Sequence, residues 1–154
     1  MARTRAFPET YKVGLPQAMR RAGYEDAVIF GSAMMHYSID KAADILGFGA
    51  AAMHKIPTDD AFRVDISALE AALAALPPKT KVVAIVGVAG TTESGSVDNL
   101  EALASIARNC GAHFHVSGKR FSSSLIYFEE LNCGQAVFSR PWQGPRCSRS
   151  GGIQ

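Results

Sequence analysis

An α/β fold built on a mainly parallel sheet is predicted by three features of the sequence. Strand-like and helix-like segments alternate from about residue 14 to residue 116. The strongest strand candidate, residues 81–88 (KVVAIVGV), is apolar almost throughout, as a strand buried on both faces is. Helix-opening signals stand between the strand candidates, Ser67-Ala68-Leu69-Glu70 among them, with S-x-x-E spacing. Such alternation packs helices on the faces of a parallel sheet.

The elements follow in order. Pro16 suits a helix start, and the helix runs to Gly23. Residues 27–30 (AVIF) form a short β-prone run. Ser38 is expected as the N-cap of a helix over 39–46 that Gly47 ends. Residues 53–56 are a weaker strand, stopped by Pro57. Ser67 opens a helix to Leu76, closed by Pro77-Pro78. After the strand 81–88, Asp98-Asn99-Leu100-Glu101 repeats the cap spacing before a helix over 99–110, and Gly111 fits the position after its end. Residues 112–116 are the last strand. From 119 to 154, Ser122-Ser123-Ser124, Pro141, Gly144-Pro145 and the Ser/Gly stretch 148–152 interrupt every run. That segment is expected to be poorly structured. The chain divides accordingly into residues 1–116 and a divergent tail, 117–154.

Composition narrows the function. The 154 residues are 47% hydrophobic and 19% charged, with a formal net charge of +2, too small to argue for nucleic acid or an anionic membrane. The tail is nevertheless basic: residues 119–154 hold 5 basic and 2 acidic side chains, against 11 and 12 in residues 1–118. No stretch of about 18 apolar residues is present, so no membrane-spanning helix is expected, and MARTRAF has no apolar run behind its basic residues to make a secretory signal. Cys110, Cys133 and Cys147 lack metal-ligand spacing and are expected as plain thiols in a reducing compartment, the cytoplasm.

In open parallel sheets, ligands bind beyond the carboxyl ends of the strands. Three such places carry chemistry here: Met35-His36-Tyr37-Ser38, Ala89-Gly90-Thr91-Thr92, and Ser117. Singly they have plain explanations. A histidine ahead of a helix is more often a packed or surface residue, Gly-Thr-Thr is most simply a turn with a hydroxyl cap, and Asp98 is most simply an N-cap. His113 and His115 share one strand face, but no third ligand stands at a supporting spacing, so no metal is expected. The glycines around 87–90 do not make G-x-G-x-x-G, which argues against a dinucleotide site.

Taken together, "HYSIDKAADILGFG" (36–49), "RVDISALEAAL" (63–73) and "VVAIVGVAGTTESGSVDNLEALASIARNCGAHFHV" (82–116) resemble the group II pyridoxal-phosphate-dependent amino-acid decarboxylases, the glutamate and aspartate enzymes included. The resemblance covers residues 2–116 and implies part of the large cofactor-binding domain of a fold-type I enzyme, truncated here. It also implies that His36 stacks on the cofactor ring, that Thr92 lies beside the cofactor with Thr91 as its neighbour, and that Ser38, Lys41 and Asp98 are framework residues.

The end of the last strand departs from the family pattern. There the family carries His-Val-Asp-Ala-Ala, and the Asp pairs with the pyridine nitrogen, holding it protonated so that the ring accepts the electrons released as CO₂ leaves. This chain has Ser117 at the Asp position and Lys119, a long cation, at the second Ala. The family's Schiff-base lysine lies in a His-Lys pair about 30 residues further on, where this chain reads RCSRSGGIQ. The phosphate-cradling segment is expected to precede residue 1. The resemblance thus implies a middle slice of a carboxy-lyase with an acidic amino acid as substrate, homodimeric when whole. With the pyridine-nitrogen Asp and Schiff-base Lys missing, this chain is expected to be catalytically inactive alone. A change of reading frame near codon 117 would account for the tail. The alternative is a non-catalytic interaction or oligomerisation module derived from the same fold, whose exposed strand edges would pair with partners.

Overall fold

The computed structural model describes residues 1–91 and 94–118. Its centre is a four-stranded sheet of β1 (Asp26–Ser32), β2 (Met53–Ile56), β3 (Thr80–Val88) and β4 (His113–Ser117). The strand order is β2-β1-β3-β4, and every pairing is parallel. Among the described residues six helices accompany it: α1 (Ala2–Ala6), α2 (Thr10–Val13), α3 (Leu15–Arg21), α4 (Ser38–Ile45), α5 (Ile66–Ala74) and α6 (Leu100–Asn109). The predicted α/β class is the observed one. Helices α1 and α2 and the 3-10 turn Ala50–Ala52 have no counterpart among the elements expected above, being too short to show a period.

Both faces of the sheet are covered. Phe7 at the end of α1, Leu15 and Ala18 of α3 and Ala43 of α4 pack with Ala27, Ile29, Val86 and Val88. Leu69, Leu103 and Ala107 from α5 and α6 pack with Val28, Phe30 and Ile85 on the other side. Strand alternation assigns odd residues of β1 to one core and even residues to the other. In β3 the alternation breaks once. Val28 pairs with Val82 but Ile29 pairs with Ala84, so Val83 is an extra residue, and Val83 and Ala84 enter the same core. This bulge re-aims the last part of β3.

Three caps differ from expectation by one or two residues. Ser38 is the first helical residue of α4, and Tyr37 precedes it as the N-cap without a side-chain bond. At α5 the cap is Asp65, which accepts from the N–H groups of Ser67 and Ala68, while the Ser67 hydroxyl donates back to Asp65. At α6 the cap is Asn99, accepting from Ala102 N–H at 3.1 Å. At α5 and α6 the S-x-x-E and D-x-x-E spacings marked the right turn, but a neighbouring residue, Asp65 or Asn99, had the non-helical backbone that a cap needs. Gly47 and Gly111 lie just past α4 and α6 at φ of +85° and +61°, as predicted.

Candidate functional site

A cavity of about 330 Å³ opens at the carboxyl ends of β1, β3 and β4. Met34 to Ser38, from the connection between β1 and α4, line one side. Val88, Gly90 and Thr91 line the middle, and Ser117 and Gly118 line the other side. This is where a parallel sheet leaves room for a ligand, because the chain turns away from each strand end.

The β1 side is tightly built. Ser32 Oγ accepts from Met34 N–H at 3.0 Å, and Ser32 C=O accepts from Met35 N–H at 3.0 Å. Met35 turns back into the core, 5% exposed, with its sulfur lying where a Gly31 side chain would be. That fold-back delivers His36 to the cavity rim. Its Nδ1 lies 2.8 Å from Ser38 Oγ and 3.3 Å from Ser38 N–H. The Tyr37 ring lies 4.3 Å from the imidazole, tilted by 37°, and Lys41 Nζ sits 4.7 Å from the Tyr37 ring.

The β3 side is fixed from below by Asp98, 5% exposed. Its carboxylate accepts from Val88 N–H at 2.6 Å and from Val64 N–H at 2.9 Å, while its own N–H donates to Val88 C=O at 2.9 Å. Asp98 is therefore not the cap of α6. It ties the end of β3 to the segment leading into α5, a framework role consistent with what the resemblance implied. Beyond it, Thr91 Oγ1 bonds to Ser94 Oγ at 2.6 Å. Thr92, expected beside the cofactor, lies outside the described residues, as do Lys119 and the tail.

On the β4 side, Ser117 is the last strand residue, and its C=O accepts from Ala89 N–H at 2.7 Å. Gly118 follows so close to β3 that a Cβ there would stand 2.5 Å from Ala89 C=O. Next to Ser117, His113 and His115 lie on the strand face opposite Phe114, which packs with the α5–α6 core. Burial lowers both imidazole pKa values below the usual histidine range, and for His113 the positive charges of His115, Arg5 and the amino terminus lower it further. Burial raises the Cys110 thiol, against the opposing pull of Lys81.

His36 and Ser117 thus line one cavity. Both are candidates from the sequence alone, where Ser38 stands only as a helix-start residue and Met34 and Gly118 carry no signal. The His-x-Ser spacing at a helix start was the available signal for Ser38, and the bond it makes became visible only with the turn geometry. Among the described lining residues there are an imidazole, a phenol and hydroxyls, but no carboxylate, lysine or arginine. This set fits the flat face of a pyridine ring. It does not supply the negative charge that the ring nitrogen of pyridoxal phosphate takes in the decarboxylases.

A parallel sheet clad on both faces, with a cavity at the carboxyl ends of three adjacent strands, is the architecture of an α/β domain with room for a ligand at its strand ends. The pyridoxal-dependent decarboxylase conserved domain matches residues 1–121, and the chain belongs to that family. An aspartate 1-decarboxylase of Aliivibrio fischeri is 45% identical over 121 residues, covering 78% of this chain and 22% of that protein. A probable L-tyrosine/L-aspartate decarboxylase of Methanothermobacter thermautotrophicus is 33% identical over 136 residues, 88% of this chain and 35% of the other. The crystal structure of mouse CSAD in its apo form superposes with a TM-score of 0.65 at 28% identity, over 75% of this chain and 23% of that one. The chain therefore spans roughly a fifth to a third of the length of these relatives.

Proposed function

We propose that the chain is a segment of a pyridoxal-phosphate-dependent amino-acid decarboxylase for an acidic amino acid, aspartate first, and that it does not catalyse decarboxylation by itself. The observation that carries this reading is the cavity shared by His36 and Ser117 at the strand ends. Aspartate decarboxylation by a relative 45% identical over 121 residues supports the substrate class. When bound, the cofactor supplies a ring that takes up the electron pair left by the departing carboxylate.

In this reading the imidazole of His36 lies against the ring, and Thr92 meets the cofactor beside Thr91. Ser117 reaches the ring nitrogen with a hydroxyl, which shares a hydrogen bond but carries no charge at neutral pH. No His-Lys pair stands between Ser117 and residue 154, so these residues offer no counterpart of the family's Schiff-base lysine. The intact enzyme is proposed to be a cytoplasmic homodimer. Among the described residues no helix is long and apolar enough to cross a membrane.

The test uses 4-deoxypyridoxine 5′-phosphate, which has the cofactor's ring and phosphate but no aldehyde to react with surface lysines. Equilibrium dialysis of the full chain should show binding that His36→Ala weakens about tenfold, a loss of the size expected for one aromatic contact. Pyridoxal phosphate and aspartate together should give no CO₂. Binding indifferent to His36→Ala, or CO₂ release above the protein-free control, overturns the reading.

A further inference from the structure

The imidazole of His36 is held at its edge as well as at its face. Nδ1 faces two groups of one residue: the main-chain N–H of Ser38 at 3.3 Å and the Ser38 hydroxyl at 2.8 Å. A main-chain N–H can only donate, so Nδ1 accepts, and the ring proton is placed on Nε2. That N–H bond is long, however, at 3.3 Å, so the hydroxyl, donating to the same nitrogen at 2.8 Å, carries most of the hold on this tautomer. Ser38 is the first residue of α4, where N–H groups lack intrahelical acceptors. The N-cap residue Tyr37 provides no side-chain bond. His36 therefore takes over part of the capping of α4 from one residue further out.

The faces of the ring are constrained too. Tyr37 lies 4.3 Å away at a 37° tilt, and His36 lines the cavity. Tyr37 is itself steadied by Lys41, with Nζ 4.7 Å from its ring centre. The turn over Ser32 fixes the backbone beneath through the bonds to Met34 and Met35.

We infer that Ser38 is a positioning residue for His36: with the amino end of α4 it locks the imidazole in the Nε2–H tautomer and sets its orientation at the cavity. The inference rests on the reading that His36 packs against the cofactor ring, and it gives Ser38 a role in cofactor binding that acts through His36. A free imidazole samples both tautomers and rotates about its side-chain bonds, and a ligand that needs one orientation must order it. Fixing the ring beforehand removes that cost.

The test is ¹⁵N spectroscopy of the full chain labelled at its four histidines, with no cofactor present, assigned by a His36→Gln variant. His36 should show an unprotonated Nδ1 and a protonated Nε2 as a single tautomer. Ser38→Ala should mix the tautomers and weaken 4-deoxypyridoxine 5′-phosphate binding several-fold, with unchanged thermal stability. Ser38→Thr, which keeps the hydroxyl, should restore both. A protonated Nδ1 in the unaltered chain, or a tautomer ratio that Ser38→Ala leaves untouched, overturns the inference. If the tautomer behaves as expected but the analogue does not bind, the positioning stands and the cofactor reading fails.

Discussion

Two ends of one cavity differ in how much of a working site they hold. At the β1 end, His36 is held by contacts with Ser38 and Tyr37, and the turn over Ser32 fixes the backbone that leads to it. At the β4 end, Ser117 keeps its strand pairing with β3 through Val88 and Ala89 yet presents a neutral hydroxyl at the position where the proposed reading expects a carboxylate. The backbone scaffold is the same kind at both ends. Strand pairing and core packing depend on backbone hydrogen bonds and apolar contacts, which Ser117 leaves intact. Charge supplied to a ring nitrogen depends on one side chain. In the proposed reading, the chain keeps the fold of a decarboxylase domain without the charge that the ring nitrogen takes.

If the scaffold and the chemistry are separable in this way, substitutions should sort into those that cost stability and those that do not. Phe30 is fully buried between β1 and the α5–α6 core. Phe30→Ala should cost about 3–5 kcal/mol in denaturant unfolding, the largest effect expected. Asp98→Asn keeps the shape but turns an NH₂ toward one of the two buried N–H groups that the carboxylate serves. It should cost about 1–3 kcal/mol in the same measurement. Asn99→Ala removes the cap of α6 and should cost about 1 kcal/mol. Ser117→Asp and Ser38→Ala, by contrast, should leave the unfolding midpoint in place. A loss at Ser117→Asp as large as that at Asp98→Asn would break the comparison, because the β4 end would then be structural.

The mildest effect concerns pH. His113 and His115 have pKa values lowered in the folded chain, so below the unfolded histidine pKa, near 6.5, the unfolded chain binds more protons. Their contribution to stability is complete above about pH 6.5 and is lost as the pH falls through the folded values. The melting temperature should drop between neutral pH and about pH 5, and a His113→Asn, His115→Asn double variant should flatten that drop. An unchanged pH slope in the double variant would place the sensitivity elsewhere.

Much of this was legible in the sequence. The all-apolar run 81–88 announced a strand buried on both faces, and β3 is one. The three strand ends that carried polar residues are the three that line the cavity. Cap identities were off by one or two residues, because spacing locates a helical turn but not which side chain has room to bend back. Asp98 looked like a cap in sequence since its true partners, Val64 and Val88, meet only in the folded chain. The link between Ser38 and His36 was hidden for the same reason: it depends on the backbone angle at Tyr37, which no residue pattern encodes.

The most direct measurement is the ultraviolet pH titration of 4-deoxypyridoxine 5′-phosphate bound to the full chain and to its Ser117→Asp variant. The account predicts that the carboxylate introduced by Ser117→Asp holds the bound ring nitrogen protonated to a pH about 1–3 units higher than the Ser117 hydroxyl does. Superimposable titrations would contradict it, since Ser117 would then not face the ring nitrogen at all.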